Sequence, residues 1–172
     1  MLFSFRSYFL LTLFLVGSIS ANAQTDKERE LANNALSYTE STISLLDSLI
    51  QFSNDFLEKN IENDQKDFSS LYAEMKFMNK HIKKGVKIAN KLMNKMSKRD
   101  GTFTKKEFNA FEEIYLYERG QEDFFECYEN IMRAEEKDNF ESGMYSLISR
   151  LSKTQFYMKD YSRVLEDLLA TK

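Results

Sequence analysis

The sequence predicts an all-α protein, an antiparallel up-down-up-down four-helix bundle, and three observations carry that prediction. Apolar residues recur at gaps that alternate between four and three, the spacing of one seam down a packed helix. Proline is absent and glycine occurs five times in 172 residues, so helices run on with few breakers. The turn signals fall between the stripes rather than within them, which calls for long helices joined by short connections.

Residues 1–23 come first and read as a secretory signal. Arg6 supplies the positive start, Tyr8 to Val16 the apolar core, and Ala21-Asn22-Ala23 an A-x-A cleavage site before Gln24. The apolar run from Tyr8 to Ile19 is twelve residues, against the roughly 20 that span a bilayer, so cleavage is expected rather than anchorage. No cysteine sits near that point for lipid attachment. Removing 23 of 172 residues leaves 149, one helical bundle domain over 24–172, and takes one cation with it, moving the formal charge from −3 to −4. The expected location is periplasmic or secreted, with no transmembrane span after cleavage. Mild acidity, export and the lack of a fold signature speak against nucleic acid as a partner.

Helix 1 is placed at about 26–59, with Asp26 near its start and the stripe Leu31, Ala35, Tyr38, Thr42, Leu45, Leu49, Phe52, Phe56. The Lys59 to Asp64 stretch breaks that pattern. Helix 2 follows at about 64–98 with Phe68, Leu71, Met75, Met78, Ile82, Gly85, Ala89, Leu92, Met96 as its seam. Ser97 to Gly101 ends it, since an Asp-Gly pair adopts positive φ readily. Thr104 to Glu107 is a capping box that opens helix 3, and Asp138 to Glu141 repeats that logic for helix 4, which runs to about 170. The helix 4 stripe is Phe140, Met144, Leu147, Leu151, Thr154, Met158, Tyr161, Leu165, Leu168. Each helix is about 30 residues, or about 45–50 Å at 1.5 Å per residue. Helix 3 is the irregular one. Glu118 to Asp123 interrupts its apolar set, and Gly120 costs about 1 kcal/mol against alanine inside a helix, so the helix is read as continuous or bent, with a kink or split near Gly120 as the alternative.

Four groups of residues invite a chemical reading. Asp100 to Phe108 resembles the second half of an EF-hand loop, but the opening ligands would fall on Met96 and Lys98, which offer no carboxylate; turn and capping box account for the same letters. Antiparallel pairing about the turns brings a polar layer to the middle of the bundle: Thr42, His81, Gly85, Glu118, Gln121 and Thr154. Such a layer either fixes helix register or lines a gap that holds a small polar ligand, metal or haem. Di-iron bundles need glutamate and Glu-x-x-His pairs, whereas this chain has one histidine, and Cys-x-x-Cys-His is absent; no metal site and no cofactor is expected. The single cysteine, Cys127, excludes an internal disulfide and sits on an apolar face where a thiol is inert.

The charges are unevenly spread. From 76 to 99 there are nine cations and no acid, among them Lys76, Lys80, Lys83, Lys87 and Lys91, while helix 3 is rich in glutamate. Either the two helices carry complementary flanks, or the lysines form a strip that docks an acidic partner or anionic headgroups. Helix 3 also crowds Tyr117, Phe124 and Phe125 together, which suggests a partner or homodimer surface. No serine carries an elbow motif and a catalytic triad would have to use His81, so an enzyme is not expected. The function expected from the sequence is therefore that of an exported, coiled-coil-like bundle that binds a protein or other macromolecular partner through a helix surface. The alternatives are a bundle carrying a ligand at its middle, and a periplasmic chaperone or toxin inhibitor.

Overall fold

Thr25 opens the first helix with a reciprocal cap: its hydroxyl accepts the Glu28 N–H at 3.2 Å, and the Glu28 carboxylate accepts the Thr25 N–H at 3.0 Å. That cap belongs to a computed structural model that describes residues 25–63, 66–98, 105, 108–109 and 115–170. The helices are α1 (Asp26–Asn60), α2 (Ser69–Met96), α3 (Tyr115–Glu135) and α4 (Phe140–Leu169), with a 3-10 turn at Lys137–Asn139 before the last. Among the described residues there is no strand, and no helix is long and apolar enough to cross a membrane. The secretory signal, the Asp100-Gly101 turn, the Thr104 to Glu107 box and most of the EF-like stretch lie outside the described residues.

The helices form a bundle in a ring, α1 beside α2, α2 beside α3, α3 beside α4 and α4 beside α1. Neighbours run antiparallel. Arg29 reaches the Leu169 carbonyl at 2.9 Å while Asp47 meets Gln155, and Asp123 meets Arg150 while Tyr117 meets Tyr161. Packing is most extensive between α3 and α4 and thinnest between α2 and α3.

The seams of α2 and α4 are as the spacing predicts, with all nine residues of each stripe buried. In α1 the seam is rotated. The buried set is Ala32, Ala35, Thr39, Thr42, Leu46, Leu49, Ser53, Phe56, whereas Leu31, Tyr38, Leu45 and Phe52 are half-buried on its flank. Thr39 and Ser53 are cheap to bury because each hydroxyl donates back to its own helix, to the Ala35 carbonyl at 2.7 Å and the Leu49 carbonyl at 2.8 Å.

Two helix starts differ from the sequence reading. α2 begins at Ser69 rather than near 64, where the Asp67 carboxylate accepts the Ser69 N–H at 2.9 Å, a bond that holds the Asp67 pKa below its ordinary value. α4 begins without a capping box: the Asn139 amide donates to Glu136 at 2.7 Å instead, and the 3-10 turn leads the chain in. The alternative of a split at Gly120 is overturned, since α3 runs unbroken through it. The bare α-carbon there lies under Thr154 and the end of Met158, so α4 covers the place where a side chain would have projected.

Candidate functional site

The middle of the bundle brings only half of the expected polar layer together. Thr42, Gly85 and Thr154 are buried in the core. His81 is half-buried at the α1–α2 edge, its ring stacked on Tyr38 at 4.3 Å, and its backbone carbonyl accepts the Tyr38 hydroxyl at 3.1 Å. Burial and the neighbouring Lys84 ammonium push the imidazole pKa down, so this ring is neutral at pH 7. Glu118 is exposed and accepts from Asn90 at 3.4 Å, and Gln121 is half-buried on α3.

The space that Gly85 leaves is filled by a residue expected at the surface. Tyr117 lies across Gly85, and its hydroxyl meets Thr42 at 2.9 Å. Because the Thr42 hydroxyl donates to the Tyr38 carbonyl at 2.8 Å, Tyr117 is the donor in that pair. Tyr161 packs edge-on against the Tyr117 ring at 5.5 Å. Tyr117 and Phe124 are thus core, not partner contacts, and of the aromatic trio only Phe125 is exposed, at 44%. The signal for this was present: Tyr117, Gly120, Phe124, Cys127, Ile131 and Ala134 make a 3-4 stripe that a glycine and a cysteine disguise.

That fit gives a test of the packed midpoint. Gly85→Ala places a methyl into the Tyr117 hydroxyl and ring, and is expected to cost about 2 kcal/mol from overpacking despite the better helix propensity. Adding Tyr117→Leu clears the overlap, so the double variant should be more stable than the sum of the single effects, read by urea unfolding in a double-mutant cycle. Additive effects would mean that the two residues do not touch.

Among the described residues no three His, Cys, Asp or Glu side chains gather as metal ligands. The Cys127 thiol is buried, and burial drives its pKa up, away from reactivity.

Charge follows a different plan from complementary flanks. Two acids of α3 face α4: Asp123, buried, takes Arg150 at 3.0 Å and Lys153 at 3.1 Å, and Arg150 also meets Glu126 at 2.6 Å, while on the α2 side Glu118 meets the Asn90 amide and Glu135 the Tyr72 hydroxyl rather than a lysine. On α2, by contrast, Lys76, Lys80, Lys83, Lys84, Lys87 and Lys91 are all exposed, and among the described residues none of them is ion-paired to a carboxylate. They point directly away from the Met75, Met78, Ile82, Ala89 seam, as residues near 180° from it must. Lys83 stands over the Phe125 ring at 5.3 Å and Lys84 over Tyr38 at 5.4 Å. Between α1 and α2 runs a groove of about 430 Å³ lined by Leu31, Asn34, Ser37, Tyr38, Ser41, Lys84, Ile88 and Lys91, a lining of cations, hydroxyls and amide without a carboxylate. Such a face attracts anions.

No family model, no curated protein and no solved structure matches this chain.

Proposed function

We propose that this chain is an exported, non-enzymatic binding protein that engages an anionic macromolecular partner through the solvent face of α2. The observation that carries the reading is the row of lysines at 76, 80, 83, 84, 87 and 91, which among the described residues pair with no carboxylate, in a chain whose formal charge is −3. A solvated helix face in an acidic protein ordinarily mixes both signs. Here Asp123 and Glu126 of the neighbouring helix pair with α4, and Glu118 and Glu135 meet an amide and a phenol of α2, so among the described residues no carboxylate pairs with the lysine row. A partner surface of opposite sign gains on-rate and orientation from such a face.

Two features weigh against the other readings. The ring of Tyr117 occupies the room a mid-bundle ligand would need. The lone histidine is stacked on Tyr38 at the α1–α2 edge, and its backbone carbonyl accepts the Tyr38 hydroxyl. A periplasmic chaperone or toxin inhibitor would use the same lysine face and counts as one form of the proposal.

The test is retention on a cation-exchange matrix at neutral pH. A sequence pI of about 5.4 predicts flow-through, whereas the α2 face predicts retention that falls with salt and disappears in Lys83→Glu/Lys87→Glu. The same double variant should weaken capture of a binding partner by at least about tenfold, since like charges then face the partner. Unchanged retention and capture in the variant would reduce the strip to an ordinary solvated face.

A further inference from the structure

The groove beside the lysine ridge narrows the class of partner. We infer that α1 and α2 together form a docking face for the phosphoryl headgroups of an anionic bilayer; this deepens the reading above and rests on it.

The lining chemistry is the first argument. Ser37 and Ser41, one turn apart on α1, and the Asn34 amide face Lys84 and Lys91 across the groove, so ammonium charge and neutral hydrogen-bond donors meet in one place. Phosphoryl oxygens accept from both kinds of group. The acids of α1 lie elsewhere: Asp47 is bonded to Gln155 on α4, and Glu40, seven residues before it, shares that flank. Glu30 is the exception, one turn before Asn34 on the same stripe, where it closes one end of the groove, and Glu74 stands beside Phe77 just before the lysine row begins.

The type of cation is the second argument. From 76 to 98 the cations are all lysine. Lysine presents a mobile point charge, suited to a fluid array of headgroups, whereas a fixed carboxylate on a folded partner is better gripped by the arginine fork. Lys76 to Lys91 spans about 22 Å of straight ridge at 1.5 Å per residue, long enough to meet several headgroups at once.

Apolar side chains at the edges are the third. Phe77 on α2 is 55% exposed and Phe125 on α3 is 44% exposed, and they bracket the ridge on its α1 and α3 sides. A basic face flanked by exposed phenylalanines is the arrangement that lies at a bilayer surface with its rings at the headgroup boundary.

The experiment is sedimentation of the purified protein with vesicles of equal phosphatidylglycerol and phosphatidylcholine, beside vesicles of phosphatidylcholine alone. Partition onto the anionic vesicles is expected at low salt, little onto the neutral ones, and a steep fall when salt is raised. Lys84→Glu/Lys91→Glu should weaken partition by about thirtyfold or more, and Ser37→Ala/Ser41→Ala by about threefold, with helix content unchanged by circular dichroism because all four side chains are exposed. Absence of binding to the anionic vesicles overturns the inference, and so does equal binding by the lysine variant or by neutral vesicles. Polyglutamate is the companion probe. If it binds in a salt-sensitive way while anionic vesicles do not, the lipid assignment falls and the α2 face stands; if neither binds, both fall together.

Discussion

Above pH 10 this protein is expected to unfold cooperatively, with its helix signal and its buried tyrosines lost in one transition. Tyr117 and Tyr161 are buried, and burial raises both phenol pKa values well above the ordinary value of 10.0; the Cys127 thiol is raised in the same way above 9.0. Each group therefore keeps its proton in the folded chain at a pH where the unfolded chain has released it. The stabilisation is complete below the unfolded pKa values and declines as pH rises past them. One such group removes about 1.4 kcal/mol per pH unit, so the three together remove roughly 4 kcal/mol per unit above pH 10. Against a total of about 5–15 kcal/mol, that places the collapse at least about one pH unit above 10. Circular dichroism and tyrosinate absorbance followed over the same titration should break at one pH. Burial also raises Tyr38, Tyr72 and Tyr128, but Tyr117 and Tyr161 are the most deeply buried and mark the folded state, and Tyr117→Phe/Tyr161→Phe should flatten the alkaline slope. Ionisation of Tyr117 and Tyr161 near pH 10 with the helices intact would contradict the packing described for the midpoint.

Gly143→Ala is expected to lower stability by about 3 kcal/mol, which for a chain of this size is about 6–12 °C in Tm. The reason is what lies opposite. A β-carbon at 143 would come within 2.6 Å of the Ala134 backbone nitrogen and 2.7 Å of its α-carbon, and a helix backbone cannot step aside as a side chain can. α4 would have to move off α3 at the largest interface in the bundle. Gly120→Ala is the internal control: there the obstacle is the flexible end of Met158, and the gain in helix propensity of about 1 kcal/mol should leave stability unchanged or raised. Thermal melts of the two variants should therefore move in different directions. Equal shifts would mean that α3 and α4 are not in close contact near Gly143.

The difference between those glycines also marks how far the sequence could be read. A seam is legible where most of its members are large and apolar, as in α2 and α4, and there every stripe residue is buried. The level at which helices meet was legible too: Gly85 and Glu118, Gln121 and Thr154 are placed in one layer, and Gly85 lies against Tyr117 while Thr154 lies against Gly120. What escaped was rotation. Thr39 and Ser53 look polar but spend their hydroxyls on their own helix, Asp123 looks solvated but is neutralised by Arg150 and Lys153, and Gly120 looks like a break but is a contact. Each of these depends on a partner in three dimensions that periodicity does not report. The same misjudged rotation of α3 put Tyr117 and Phe124 on the outside and Glu118 within. The lysine face was legible because nine successive cations need no rotation to be noticed; that its charges stay unmatched by the acids of α3 was not.

Among the described residues the contact between α2 and α3 is thinner than the other three around the ring, which makes it the weak side there. The other three junctions are broad, so fluctuations will concentrate along this one, with Tyr117 on Gly85 as its central latch. The bundle should breathe by letting α2 swing on α1, admitting deuterium to α3 amides there before the α1–α4 pair gives up any of its own.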